Sequence, residues 1–327
     1  MKHTYVGGLI LISALFFAAC SKETTKSAPD TTPVSTTTVA TDNSAQAGMV
    51  LTPGGWRPAD KVSKIEQGQH LDVQGGRLRA IDDATGKVAK DFGAIHADAG
   101  SLPDYPGNVN SAAPLARKVK PLSSGWIAYT YWSNPVSTPI SYFSTTWTVP
   151  PAPSTSNGQT IFMFNGLQNS SYILQPVLQW GPSAAGGGNY WAIANWYVDG
   201  SSGTAIFSNL VRVSAGTSLT GIMTLTGSSG SSYSYTSAFT GYSSINLSVS
   251  NIQKLYWAAE SLEVYYPVVC TDYPNTTKTR FSNIQIQLQG GSQSALSWTV
   301  ANAVTDCGQH ATVVTNGTPN GVVDIYY

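Results

Sequence analysis

Downstream of Pro121 the chain contains two glutamates, Glu260 and Glu263, and both lie in one apolar, aromatic stretch, KLYWAAESLEVYYP, at residues 254–267. At strand spacing, Glu260 shares a face with Tyr256, Ala258 and Leu262, and Glu263 shares the other with Trp257, Ala259 and Tyr265. A strand apolar on both faces is a central one. It holds at least one carboxylate in a restricted environment, where desolvation raises a carboxyl pKa and suits it to general acid–base work. A second polar pair sits in YILQPVLQW (residues 172–180), where Gln175 and Gln179 fall on one face with Ile173 and Val177. A glutamine amide can donate a hydrogen bond to a developing oxyanion, and losing such a donor typically costs about 10²–10³ in rate. A carboxylate that moves the proton of an attacking water and an amide that holds the oxyanion need no metal or cofactor. Partnered structural residues remain the alternative for all four.

The elements that must position these groups are strands. WIAYTYW, SYFSTTWTV, TIFMFNG, YILQPVLQW, NYWAIANWYV, LTGIMTLTG, SYSYTSAFT and RFSNIQIQLQG recur with Gly/Ser/Thr/Asn turn signals between them. No helix-period segment of comparable length interrupts them. The pattern predicts an all-β fold, an antiparallel two-sheet β-sandwich over residues 121–327 preceded by a small β-rich segment.

Residues 1–19 read as a signal peptide: Lys2 and His3, an apolar run from Val6, then Phe17-Ala18-Ala19-Cys20. Small residues before a cysteine resemble a bacterial lipobox, which implies cleavage before Cys20 and its lipidation. The expected location is the bacterial cell envelope, the chain being exported and anchored to a membrane through Cys20. Residues 20–48 are Thr/Ser/Ala-rich and read as a disordered tether. Residues 49–120 form a small accessory or pro-segment with a linker, with hairpins around Gly75-Gly76 and Thr85-Gly86. An accessory module and a pro-segment that covers a site until removed are both open. Setting Cys20 aside leaves Cys270 and Cys307, which in an oxidising compartment are expected to form a disulfide.

Charge separates the two parts. Residues before Pro121 carry 13 of the 17 Lys and Arg, leaving four for the rest of the chain. No basic stripe lies on the sandwich, so nucleic acid is not an expected partner. The chain has no HExxH, GxSxG, GxxxxGK[ST] or GxGxxG, and none of its four histidines sits in a metal-ligand cluster. No metal and no cofactor is expected.

FSTTWTVPPAP, FMFNGLQNSSYILQ, NYWAIANWY, SNLVRVSAGTSLTGIMT and the Ala259-Glu260 strand occur in an order similar to the eqolisin, or glutamic peptidase (G1), family. The resemblance spans residues 142–266. It implies a concanavalin A-like sandwich, a polypeptide substrate, and hydrolysis of peptide bonds by a Glu general base with a Gln oxyanion donor. ILQ places the catalytic glutamine at Gln175 and AE places the catalytic glutamate at Glu260, with Gln179 and Glu263 as alternates. Trp191 and Trp196 fall near substrate-lining aromatics, and Asn165 stands where the family has an acidic loop residue. Pro176 follows the ILQ, and Ser261 replaces the tryptophan after AE. The competing reading is a non-catalytic, lectin-like surface lipoprotein with a polysaccharide partner, its tryptophans stacking on sugar rings.

Overall fold

The computed structural model describes residues 48–95, 124–292 and 296–327. The expected signal peptide, lipidated Cys20, tether and linker fall outside the described residues, as does the anchoring expectation. In chain order the strands are Met49–Thr52 (β1), Gly55–Pro58 (β2), Val62–Lys64 (β3), Gln69–Gln74 (β4), Arg77–Asp82 (β5), Val88–Ala94 (β6), Gly125–Ser133 (β7), Ile140–Thr148 (β8), Thr160–Gln168 (β9), Tyr172–Ser183 (β10), Gly186–Asp199 (β11), Ala205–Phe207 (β12), Val211–Arg212 (β13), Ser218–Ser229 (β14), Ser232–Phe239 (β15), Leu247–Ile252 (β16), Trp257–Tyr265 (β17), Lys278–Leu288 (β18), Gly291–Ser292 (β19), Thr299–Asn302 (β20), His310–Thr315 (β21) and Gly321–Tyr326 (β22).

The strands build a sandwich. A nine-stranded sheet runs β20-β7-β17-β9-β10-β11-β12-β3, with β13 on β11. An eleven-stranded sheet runs β21-β22-β18-β8-β14-β15-β16-β4-β5-β6, with β19 on β18. Their facing surfaces share one core that includes Leu174, Leu178, Ala258 and Leu262 from the first sheet and Phe143, Trp147, Met223 and Tyr235 from the second. The predicted turns at Gly75-Gly76 and around Gly86 connect β4 to β5 and β5 to β6. The early strands do not stand apart: β3 pairs in parallel with β12, and β4 with β16, extending both sheets.

Burial explains the sequence contrast between strands. β14 alternates buried and partly exposed residues, as a strand with one wet face should. β9 is buried at every position and β17 at all but its first, so both of their faces are covered. The inner face packs on the second sheet. The outer face carries a separate apolar cluster of Trp126, Tyr129, Phe162, Phe164, Ile173, Val177, Trp196 and Ala259, closed over by Leu51 with Trp56 against it. Leu51 and Trp56 belong to the hairpin β1–β2, which pairs with itself and with neither sheet. The expected disulfide is present: Cys270 and Cys307 are bonded, with Cα atoms 5.4 Å apart.

Candidate functional site

The register of β10, β9 and β17 decides which predicted residues meet. Leu174 pairs with Leu167 and Val177 with Phe164, which sets Gln175 level with Gly166 and Pro176 level with Asn165. Across the next ladder, Gly166 pairs with Ala259 and Asn165 with Glu260. Gln175 therefore shares a face with Ala259, and Glu260 projects one residue on, to the opposite face. The expected Gln175–Glu260 pair is not brought together. The sheet divides the predicted residues into an inner group, Asn165, Trp191 and Glu260, and an outer group, Gln175, Gln179, Trp196 and Glu263.

Glu260 lies fully buried between the sheets. Thr145 of the second sheet donates its hydroxyl to Glu260 Oε1 at 2.5 Å. Oε2 has no hydrogen-bond partner among the described residues. Burial pushes this carboxyl well above the usual carboxylate range, with the Thr145 hydrogen bond opposing. Its ladder neighbours are polar: Asn165 donates to Gly221 O at 3.2 Å but leaves Oδ1 without a partner, and Thr130 leaves its hydroxyl so. The site is a polar island in an apolar core, not a cleft. Trp191 is also internal. It packs on Trp180 at 5.4 Å and belongs to the inter-sheet core, so the sequence expectation that it lines a substrate cleft is corrected, as is that for Asn165.

On the outer face, Gln179 is level with Phe162 and Glu263. Its amide is committed locally. Nε2 donates to Gly181 O at 2.7 Å and Gly186 O at 2.9 Å, and Oε1 accepts from Ser183 Oγ at 2.8 Å. It clamps the β10–β11 turn, where Gly187 (φ +105°) must lack a side chain because a Cβ would fall 2.4 Å from this same Nε2. Gln175 differs. It is 1% exposed, lies opposite Trp196, and its Oε1 has no hydrogen-bond partner among the described residues. Glycine at 166 leaves the adjoining position in β9 without a side chain.

Glu263 is the one carboxylate that strands β9, β10, β11 and β17 place on the outer face, since Asp199 pairs with Tyr172 of the inner core. Tyr265 donates its hydroxyl to Glu263 Oε1. The backbone N–H of Gly54, at the tip of β1–β2, donates to the same oxygen at 2.8 Å. The hairpin has two further polar attachments. Ala184 N–H donates to Leu51 O at 2.8 Å, and the buried Arg57 donates through Nη1 to Asp199 O at 3.1 Å. The tip turns on Gly54 and Gly55, at φ +84° and +101°, a conformation side chains disfavour. Sequence reasoning missed Arg57, Tyr265 and the hairpin. Pro53-Gly54-Gly55 between MVLT and WRP is a legible turn signal, but nothing local says where that turn docks.

At one end of the outer face Tyr131 stacks on Trp257, ring centroids 5.4 Å apart and planes within 16°, and both rings are part-exposed. Tyr129 and Trp126 continue this aromatic row along β7.

No family model matches the chain, and no curated protein matches it. Among solved structures it is similar to Scytalido-glutamic peptidase, crystallised with a peptide-based transition-state analogue, at 18% identity and a TM-score of 0.43, over 63% of this chain and 98% of that one. It is also similar to SCP-B, a member of the eqolisin family of peptidases in complex with the tripeptide Ala-Ile-His, at 16% identity and a TM-score of 0.38, over 63% and 98% of the respective chains.

Proposed function

We propose that the outer face of the nine-stranded sheet is the polypeptide-binding cleft of a glutamic-peptidase-like hydrolase, exported and lipid-anchored through Cys20, and that residues 49–58 hold it closed. The observation that carries this reading is that the face already holds a polypeptide. The hairpin meets it through backbone hydrogen bonds at Gly54 and Leu51, an apolar anchor at Leu51 and a buried Arg57. A substrate segment offers the same groups. Glu263 is the acid–base carboxylate in this reading: it takes the proton of a water attacking an amide carbonyl and returns it to the leaving nitrogen. Gln175, whose amide is not tied into a turn, is the oxyanion donor; Gln179 holds the turn, and Trp196 forms the floor. Glu260 has no part in the chemistry, because it faces the other sheet.

The test is cleavage of an unfolded protein substrate from acidic to neutral pH. The full chain is compared with Gly55→Val, which strains the hairpin tip, and with Gly55→Val carrying Glu263→Gln, Gln175→Ala or Glu260→Gln. The reading expects Gly55→Val to be more active than wild type, the Glu263 and Gln175 variants to lose that activity, and Glu260→Gln to keep it. Activity that survives Glu263→Gln, or none with the hairpin loosened, overturns it. A second reading, a non-catalytic carbohydrate-binding lipoprotein, rests on the part-exposed Tyr131–Trp257 stack. It expects retention on a polysaccharide column that Trp257→Ala abolishes.

A further inference from the structure

Arg57 is a charged side chain with 5% of its surface exposed, and its guanidinium meets the sandwich at Asp199 and Gly203 as well as the tip of its own hairpin at Gly54. Asp199 O accepts from Nη1. The backbone at Gly203 and Gly54 comes close enough that a Cβ there would stand 4.0 Å from Nη1 and 3.7 Å from Nη2 respectively. Asp199, Tyr265 and Glu263 each favour the charged guanidinium, against a larger desolvation cost that lowers its pKa. The Asp199 corner is rigidly built. Oδ1 accepts from Ser201 N, Ser201 Oγ and Ser202 N at 2.8, 2.6 and 3.2 Å, Asp199 N donates to Thr204 O, and Gly200 N to Ser171 O. Asp199 is wholly buried, yet its Oδ2 has no hydrogen-bond partner among the described residues, nor does Arg57 Nε. This pocket is acidic, preformed and occupied by the chain's own arginine.

We propose that the pocket walled by Asp199, Gly203, Glu263 and Tyr265 is a guanidinium-binding site that takes an arginine side chain of a bound polypeptide in trans when the hairpin is displaced. The inference rests on the displaceable hairpin proposed above, and it names the substrate class that face would select. The hydrogen-bond acceptor at this wall is the Asp199 backbone carbonyl, with the carboxylates acting through their charge, and a burial-tolerant cation whose charge is delocalised and whose donors fan out in a plane suits it best, which distinguishes arginine from lysine. An empty pocket would leave Asp199 buried without the cation that offsets its charge, so a guanidinium is the ligand whose binding relieves the largest cost.

The experiment uses the full chain with Arg57→Ala, which empties the pocket and leaves Leu51 and Gly54 to hold the hairpin. N-acetyl-arginine methylamide is titrated against wild type and variant by calorimetry and thermal melting, with N-acetyl-norleucine methylamide as the neutral control. The variant should bind the arginine probe saturably and melt at a higher temperature with it, while wild type, its pocket filled, should show neither effect. Adding Asp199→Asn, which keeps the turn's acceptor oxygen and the backbone carbonyl but removes the nearby negative charge, should weaken probe binding about tenfold. Equal binding of the norleucine probe, equal response of wild type, or no binding to the variant overturns the proposal. Should Arg57→Ala not fold, Arg57→Met keeps the packing of the stem, and refolding yield with and without the arginine probe becomes the readout; no gain with the probe counts against the site. Probe binding requires no turnover. A variant that binds arginine yet cleaves nothing sinks the peptidase reading alone, and one that cleaves without arginine preference sinks only the pocket.

Discussion

Replacing Glu260 with glutamine should stabilise the protein increasingly as pH rises. In the folded chain this carboxyl is fully buried, its Oε1 bonded to Thr145 and its Oε2 without a hydrogen-bond partner among the described residues. Burial raises its pKa well above the reference 4.5, so the folded state keeps the proton over a range in which the unfolded chain has lost it. Below about pH 4.5 both states are protonated and the wild-type stability is complete. Above it, ionisation favours only the unfolded state. Each pH unit then removes up to about 1.4 kcal/mol for as long as the folded carboxyl stays neutral. Glutamine is neutral throughout and can accept from Thr145 through its carbonyl. Urea melts of wild type and Glu260→Gln at pH 5, 6 and 7 give the stability gap at each pH, provided the transitions are two-state. The expected gap widens with pH. A gap that stays constant, or one that narrows because wild type gains on the variant, would refute the buried neutral acid and with it the assignment of Glu260 to the core.

Other perturbations test the remaining features. Asp324, bonded to Lys278 at 2.6 Å and to Arg280 at 2.7 and 2.9 Å, has its pKa lowered chiefly by Arg280, so its contribution is present above the ordinary aspartate range and is lost as acid protonates it; Asp324→Asn should flatten the acid limb of a stability–pH profile. Reducing the Cys270–Cys307 bond, which closes a 37-residue separation, should lower stability by up to about 4 kcal/mol on chain entropy, seen as a shift in urea midpoint on adding reductant. Gly187→Ala should cost more than an exposed-loop substitution, because its Cβ meets Gln179 Nε2 and Gly181 O, each at 2.4 Å; a melting temperature equal to wild type would argue against the clamp. Gly55→Val should speed proteolytic nicking in residues 49–58 ahead of the sandwich, read from the order in which fragments appear.

Much of this fold was written into local patterns. Strand recurrence with turn signals pointed to the all-β class, and the expectation of export with Cys20 set aside pointed to the Cys270–Cys307 disulfide. Period two placed Glu260 and Glu263 on opposite faces, and Gln175 with Gln179, and the register agrees with both. Alternation, however, supplies parity and not identity: it says that two residues of one strand oppose each other, never which of them looks at the second sheet. That choice belongs to the ladders joining β10 to β9 and β9 to β17, and it put Gln175 on the face of Glu263 rather than that of Glu260. A glutamate between apolar neighbours looks the same in sequence whether it lines a cleft or is sealed against Thr145, a residue 115 positions away. The contact between Gly54 and Glu263 spans 209 positions. No local propensity encodes it, because the hairpin's destination is set by the apolar surface that the assembled nine-stranded sheet leaves uncovered. The sequence by itself determined the strands, their faces and their covalent tie; tertiary packing alone decided which face became core and which received the hairpin, since burial is a property of surfaces that exist only after distant strands have paired.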